Sequence, residues 1–326
     1  MNKITQILPL RTRKNNKFKY YASNFIRLYI NKFLPQRRLE TQLKSISSFD
    51  EAYILERVNY YNKIQDYTPL SKGIQLNDFL YTGRLKTYFF DTVEYTRFFN
   101  KDLKFNYLFG DITEIPSEPS IVKSRPIVES NENSVLLNLN RIRHFNFIYD
   151  RKHFADKKDR LVWRGYIKNG LVNRISFMEK FINHSMCDVG QVKGRNIDSS
   201  WFKEKLSIQE QLEYKFIMSL EGNDVATNLK WIMSSNSVAV MPKPKFETWF
   251  MEGKLLPDYH YIHVEDDYSN LEEKLNYYML NPDKAIGIVK NANAFVKQFQ
   301  NKKQEDLISL MVLQKYFDKT NAGYSI

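Results

Sequence analysis

From about residue 155 onward the chain alternates short apolar runs with segments of helical period. RLVWRG (160–165), MCDVGQV (186–192), KFIMSLEG (215–222), SVAVMP (237–242) and YHYIHV (259–264) read as strands. NRISFMEKFINH (173–184), DVATNLKWIMSS (224–235), LEEKLNYYML (271–280) and DKAIGIVKNANAFVKQF (283–299) read as helices, and the last piece of the chain as helical too. Ser207 and Ser269, each three residues ahead of an acid, have capping-box spacing, and Asn281-Pro282 ends a helix. Alternation of this kind predicts a parallel sheet covered on both faces.

The first half is less regular. FDEAYILERVNYYNKI (49–64) reads as a helix with Ile54, Val58 and Tyr61 on one stripe. KTYFFDTVEYTRFF (86–99) is aromatic and mixed. KFNYLFGDITEIP (104–116) reads as a strand ending at Gly110-Asp111, and SVLLNLNRIRHFNFIYD (134–150) as a helix followed by a strand at 145–149. Two α/β domains with a cleft between them is the architecture expected.

Charge narrows the partner. The formal net charge is +12 and the pI about 9.4. That balance suits an anion: a phosphorylated substrate, an acidic membrane surface or a nucleic acid. No RNA- or DNA-binding motif accompanies it, so nucleic acid is not the expected partner and a basic nucleic-acid-binding protein stands only as the rival reading. Residues 1–45 hold one acid, Glu40, against Lys14, Lys17, Lys19, Arg27, Lys32, Arg37 and Arg38. These surround YYASNFIRLYINKFL (20–34), in which Phe25, Leu28, Tyr29 and Phe33 fall near helical spacing. Two readings stand: a helix packed on the body with a solvated basic face, or a helix held in plane by anionic headgroups. Cys187 is the only cysteine, and no run is apolar for the ~20 residues of a spanning helix. A cytoplasmic protein is expected, with the inner membrane surface as a peripheral contact.

Ligands of open α/β sheets bind outside the carboxyl ends of the strands. Gly110-Asp111, Arg164-Gly165 and Glu221-Gly222 mark three such ends. In SLEGNDVATNLKW (219–231), Glu221 can accept from the vicinal hydroxyls of a ribose, and Gly222 lets backbone come close. The helix predicted to begin near residues 223–227 offers N–H groups to phosphate oxygens, with Lys230 one turn on; Asp224 has a capping reading as well. Arg164 can clamp a diphosphate or make a surface ion pair. Asp111 can serve as a general base or merely form a turn. Lys123, Ser124 and Arg125 in IVKSRPI, with His144 in RIRHF, are candidate acceptor or phosphate contacts. Glu265-Asp266-Asp267 precedes a helix start, where acids suit the N-terminus, and the histidines are scattered, so no metal site is expected. No P-loop and no GxGxxG is present.

FGDITEIPSEPSIVKSRPI (109–127), NSVLLNLNRIRHF (133–145), the VWRG strand, LEYKFIMSLEGNDVATNLKWIMSSNSVAVMP (212–242) and YHYIHVEDDYSNLEEKL (259–275) together resemble glycosyltransferase family 90, with its bacterial lipopolysaccharide branch nearest. The likeness spans roughly residues 50–300 in order. It implies a GT-B-like fold of two Rossmann-type domains, a UDP-sugar donor, inversion at the anomeric carbon, no required metal and no cofactor. Asp111 falls at the position of the family's catalytic base, Arg164-Gly165 at its donor loop, and the stretch holding Gly222, Asn223, Asp224, Asn228 and Lys230 at its nucleotide-binding helix. Asn228 stands where the animal enzymes carry an arginine, so that either Lys230 or Arg164 compensates or phosphate binding differs. The implied organisation is a basic segment (1–45), an acceptor-side α/β domain (46–155), a nucleotide-sugar domain (156–290) and C-terminal helices packing back on the first domain (291–326). The expected acceptor is a bacterial surface glycan, the lipopolysaccharide core first and capsule or protein as alternatives.

Overall fold

The computed structural model describes residues 15–30, 36–195 and 198–323. Lys14, Lys32 and Phe33 of the predicted basic helix lie outside the described residues. The described elements start with α1 (Lys17–Ile30), α2 (Gln36–Lys44) and α3 (Glu51–Tyr61), then β1 (Ile74–Gln75), α4 (Lys86–Thr96), β2 (Lys104–Phe105) and β3 (Tyr107–Leu108). Next come β4 (Ser120–Val122), β5 (Ser124–Pro126), β6 (Ser134–Leu136) and α5 (Arg141–His144). The second half runs β7 (Lys158–Lys168), α6 (Val172–Phe181), β8 (Cys187–Arg195), α7 (Ile208–Gln211), β9 (Tyr214–Met218), α8 (Leu229–Met233) and β10 (Val238–Met241). It closes with β11 (Phe246–Thr248), β12 (Ile262–His263), α9 (Leu271–Leu280), α10 (Pro282–Lys297) and α11 (Lys302–Thr320).

Five strands form one parallel sheet in the order β12-β10-β9-β7-β8. From β7 the chain steps outward to β8, then crosses back to lay β9 on the other side of β7. That reversal is a topological switch point, the place where such sheets open a crevice for ligands. Alternate side chains serve opposite faces, as the strand period requires. Leu161, Trp163, Phe216, Met218, Val238 and Val240 pack with α6 and α9, whereas Val162, Ile217, Ala239 and Met241 join α8. Each fully buried side chain of this size contributes about 1.5–3 kcal/mol.

The first half supplies a smaller parallel sheet, β3-β4-β6. Helix α11 returns to this half and packs on α3 and α4. The core on that side is contiguous with the α8 face of the large sheet, running from Leu39 to Phe317. A further stitch joins the halves: β5 pairs antiparallel with β11, setting Arg125 opposite Glu247. Their side chains form a fully buried ion pair at 2.8 Å, and the Tyr60 hydroxyl also donates to Glu247.

Three expectations change. Residues 134–150 begin as strand β6 rather than helix, because Asn138 and Asn140 interrupt the apolar run and Asn140 takes a left-handed φ of 53°. Residues 145–149 form no strand; the short helix α5 ends just before them, at His144. The second capping box does not form, since Asn270 caps α9 without a side-chain bond, whereas the Ser207–Glu210 box is complete. Helix α1 packs on α4 through the Tyr20 hydroxyl on Asp91 (2.7 Å) and the Phe25 ring on Phe90 (5.0 Å). Its outer face leaves Phe18 84% and Ile26 56% exposed. Among the described residues, no helix is long and apolar enough to cross a membrane.

Candidate active site

The switch point carries a cavity of 410 Å³, a size that suits a small ligand. One wall comes from the segment after β3. Gly110, at φ 127°, makes a turn that a side chain would strain, and the turn delivers Asp111. Lys123, between β4 and β5, is buried and places its Nζ 2.6 Å from Asp111 Oδ1 and 2.6 Å from Asp224 Oδ2. Asp224 also accepts from Ser124 Oγ at 2.6 Å, and Asn223 Nδ2 donates to Asp111 Oδ2 at 3.1 Å. The loop after β9 is thus tied to the loop after β3 through carboxylates.

Asp111 keeps 31% of its side chain exposed to the cavity. Burial pushes its carboxyl up, but the hydrogen bond and charge of Lys123 and the Asn223 amide pull harder, so it lies below the ordinary value. Asp224 goes the other way, since deep burial outweighs the same lysine. Lys123 is raised: burial opposes its charge, and the Asp224 and Asp111 carboxylates overcome that. One ionised, accessible carboxylate therefore stands beside one buried structural carboxylate, with a single ammonium shared between them.

The opposite wall is built from β7, α6 and the segment after β9. Among the residues expected in the site, Asp111, His144, Arg164, Gly165, Gly222, Asn223, Asp224 and Asn228 line the cavity. Lys123 and Ser124 stand behind it, bonded to its carboxylates. Arg164 lines it, but its guanidinium turns toward β8: Nη2 meets Asp188 Oδ1 at 2.8 Å, Nη1 the carbonyls of Trp163 and Asp188, and Nε the carbonyl of Glu204. Gly165 is not a strand end, since β7 continues to Lys168. A side chain there would run into the Trp163 ring, which explains the glycine by packing. Asn228 spans Met218 O and Ser219 Oγ, holding the end of β9 to α8.

Three residues fall elsewhere. Helix α8 starts only at Leu229, so residues 223–227 are loop and present no helix N-terminus. Lys230 points away from the cavity into a fully buried pair with Glu252. Arg125 is fully buried on Glu247 and the carbonyls of Tyr60, Tyr61 and Ser134. Glu221 faces a second cavity of 280 Å³ at the ends of β9 and β10, where its Oε1 accepts from the backbone N–H of Lys245 and Phe246. Burial pushes its carboxyl up to about 7 against those two donors. Leu171, Leu220, Gly222 and Val225 line both cavities, so they adjoin.

Arg143, Lys168 and Arg174 line the cavity beside Arg164. Arg174 was absent from the expected set. It donates to the carbonyls of Glu221 (3.0 Å), Leu220 (2.8 Å) and Tyr166 (2.8 Å), and its guanidinium lies 5.8 Å from the Trp163 ring centroid. Among the described residues no carboxylate pairs with it, and burial lowers it to about 10. Its signal in the sequence was its place: it sits in the first turn of α6, where the helix dipole disfavours a cation. Among the described residues, no group of three or more His, Cys, Asp or Glu is placed to hold a metal ion.

The class so defined is an α/β protein with a ligand cavity at a sheet switch point, an ionised carboxylate on one wall and, on the other, a half-buried guanidinium with no carboxylate partner among the described residues. Comparison with known proteins narrows it. Residues 140–319 match the model of glycosyl transferase family 90. The chain is 42% identical over 266 residues to the O-glucosyltransferase LpsA of Dichelobacter nodosus, covering 82% of this chain and 83% of that protein. The chain belongs to glycosyl transferase family 90, as its motifs suggested, and is a glycosyltransferase, with a sugar donor and a glycan acceptor in general.

Proposed function

We propose that this protein transfers a sugar, glucose first among the candidates, from a UDP-sugar to a hydroxyl of a bacterial lipopolysaccharide core, with inversion. The observation that carries the reading is the ionised, accessible carboxylate of Asp111 in a cavity whose far wall presents Arg174. Glucose and lipopolysaccharide are suggested by the relative's name, O-glucosyltransferase LpsA. The two parallel sheets contributing to one cavity support a GT-B-like arrangement.

In the proposed reaction Asp111 takes the proton of the acceptor hydroxyl as its oxygen bonds to the anomeric carbon. The bond from that carbon to the β-phosphate oxygen breaks, and its electron pair leaves with UDP. Arg174 offers the charge that the leaving diphosphate needs, a role the sequence had given to Arg164 and Lys230. A cation in that place removes the need for a metal. Glu221 keeps its ribose role from the adjoining cavity, where Oε2 is the oxygen not used by the backbone. The basic α1 face, with Phe18 and Ile26 outward, suits the anionic inner surface of a membrane and hence a cytoplasmic, peripheral enzyme.

The test is a thermal-shift series with UDP, UDP-glucose, UDP-galactose, UDP-xylose, GDP and CMP in excess chelator. A ligand at 100 times its Kd adds ~2.7 kcal/mol to stability. Shifts with the uridine nucleotides alone, persisting in chelator, are expected. No shift with any of them overturns the donor assignment.

A further inference from the structure

His144 is a buried histidine whose hydrogen-bonding capacity the fold does not use. It closes α5, is 3% exposed, and neither Nδ1 nor Nε2 has a partner, yet the residue lines the 410 Å³ cavity. Buried polar atoms in native folds are almost always satisfied, so an orphaned pair in a cavity wall needs a ligand to explain it. A phenylalanine would fill the same space without that cost.

The surroundings say what kind of ligand. Burial first, then the charges of Lys230, Lys123 and Arg143, hold the ring well below the ordinary histidine value, so it is neutral. A neutral imidazole offers one donor and one acceptor. Phosphate oxygens only accept; they would satisfy one nitrogen and leave the other empty. A pair of sugar hydroxyls can satisfy both, one accepting and one donating. Depth selects which sugar. Asp111 and Arg143 are exposed, as groups meeting an incoming acceptor must be, whereas His144 in the same lining is buried.

We propose that His144 reads the transferred sugar of the donor, holding two of its hydroxyls through Nδ1 and Nε2. The assignment deepens the nucleotide-sugar reading and rests on it. It separates His144 from the phosphate contact that its sequence context suggested.

The test compares His144→Phe and His144→Gln with the wild type, using UDP, UDP-glucose and UDP-galactose as probes in calorimetry. For whichever hexose the wild type prefers, His144→Phe is expected to raise the ratio of the UDP-hexose Kd to the UDP Kd by ~10-fold or more, with the UDP Kd unchanged. Glutamine, which keeps a donor and an acceptor, is expected to recover much of that loss. In the wild type, the His144 ring ¹⁵N signals are expected to shift on adding the UDP-hexose and to stay put with UDP. Equal weakening of UDP and UDP-hexose, an unchanged ratio, or ring signals that respond to UDP alone would overturn the proposal. A wild type that binds no UDP at all would instead remove the UDP-sugar reading, and this assignment with it.

Discussion

Lys123 holds its ammonium 2.6 Å from Oδ1 of Asp111, and the lysine is buried while the aspartate is not. The arrangement fixes the carboxylate in one orientation and keeps it ionised, leaving its accessible edge to the cavity. If Asp111 is the base, Asp111→Asn should fold and bind UDP as the wild type does and lose ~10²–10⁴-fold in transfer. Product formation beside a UDP titration checks both halves, and an active asparagine variant would remove the mechanism.

Lys123→Met should act on stability and on pH dependence together. Removing one partner of a buried ion pair typically costs ~3–5 kcal/mol, measurable by urea unfolding. In the wild type the Asp111 carboxyl is depressed, so its contribution to stability is present above the unfolded carboxylate value and is lost as pH falls through the folded one. Without the lysine, burial is left to act, and the acidic limb of the kcat/KM profile should move to higher pH. An unmoved limb would show that Lys123 does not set the charge of Asp111.

Arg174 and Arg164 should part company. Arg174→Met should raise the Kd for UDP ~10²-fold, because the cavity loses the guanidinium proposed to face the diphosphate. Arg164→Met should leave UDP binding within a few fold and lower stability instead, since its bonds run to Asp188 and backbone carbonyls. The reverse pattern in calorimetry would return the phosphate role to Arg164.

Glu221→Gln should stabilise the protein at alkaline pH. The folded carboxyl, at about 7, lies above its unfolded value of 4.5, so its contribution is full below the unfolded value and lost as pH rises through the folded one. Glutamine's carbonyl still accepts from Lys245 and Phe246 but carries no charge to bury. Its Tm should match the wild type near pH 4 and exceed it at pH 8. Its UDP affinity should fall if Oε2 holds the ribose.

Phe18→Glu combined with Ile26→Glu should abolish binding to vesicles containing phosphatidylglycerol without changing the Tm, because both side chains point outward from α1. Retained co-sedimentation would leave α1 as a packing helix only.

What the sequence made legible follows from burial. Strands β9 and β10 are buried on both faces, so they appear as VAVM and as YKFIM, apolar apart from Lys215. Helix α4 was illegible for a related reason. Tyr88, Phe89, Phe90, Asp91, Thr92, Glu94, Tyr95 and Thr96 are all buried, so it has no polar face to reveal a helical period. The strands of the first half span two or three residues, too few to show alternation. In the candidate site, Asp111, Asn223 and Asp224 come together as expected because strand ends converge in an α/β sheet. The fates of Arg164 and Lys230 depended on partners 24 and 22 residues away, Asp188 and Glu252, which no local pattern announces.

The stitch between β5 and β11 has a consequence for anyone who would divide this chain. A cut near residue 155 would leave Arg125 buried in one fragment without Glu247, and would strand α11 apart from α3 and α4. Neither piece should be expressible alone. A chimera exchanging donor specificity with a relative must carry β5 and β11 as one unit, although 122 residues separate Arg125 from Glu247.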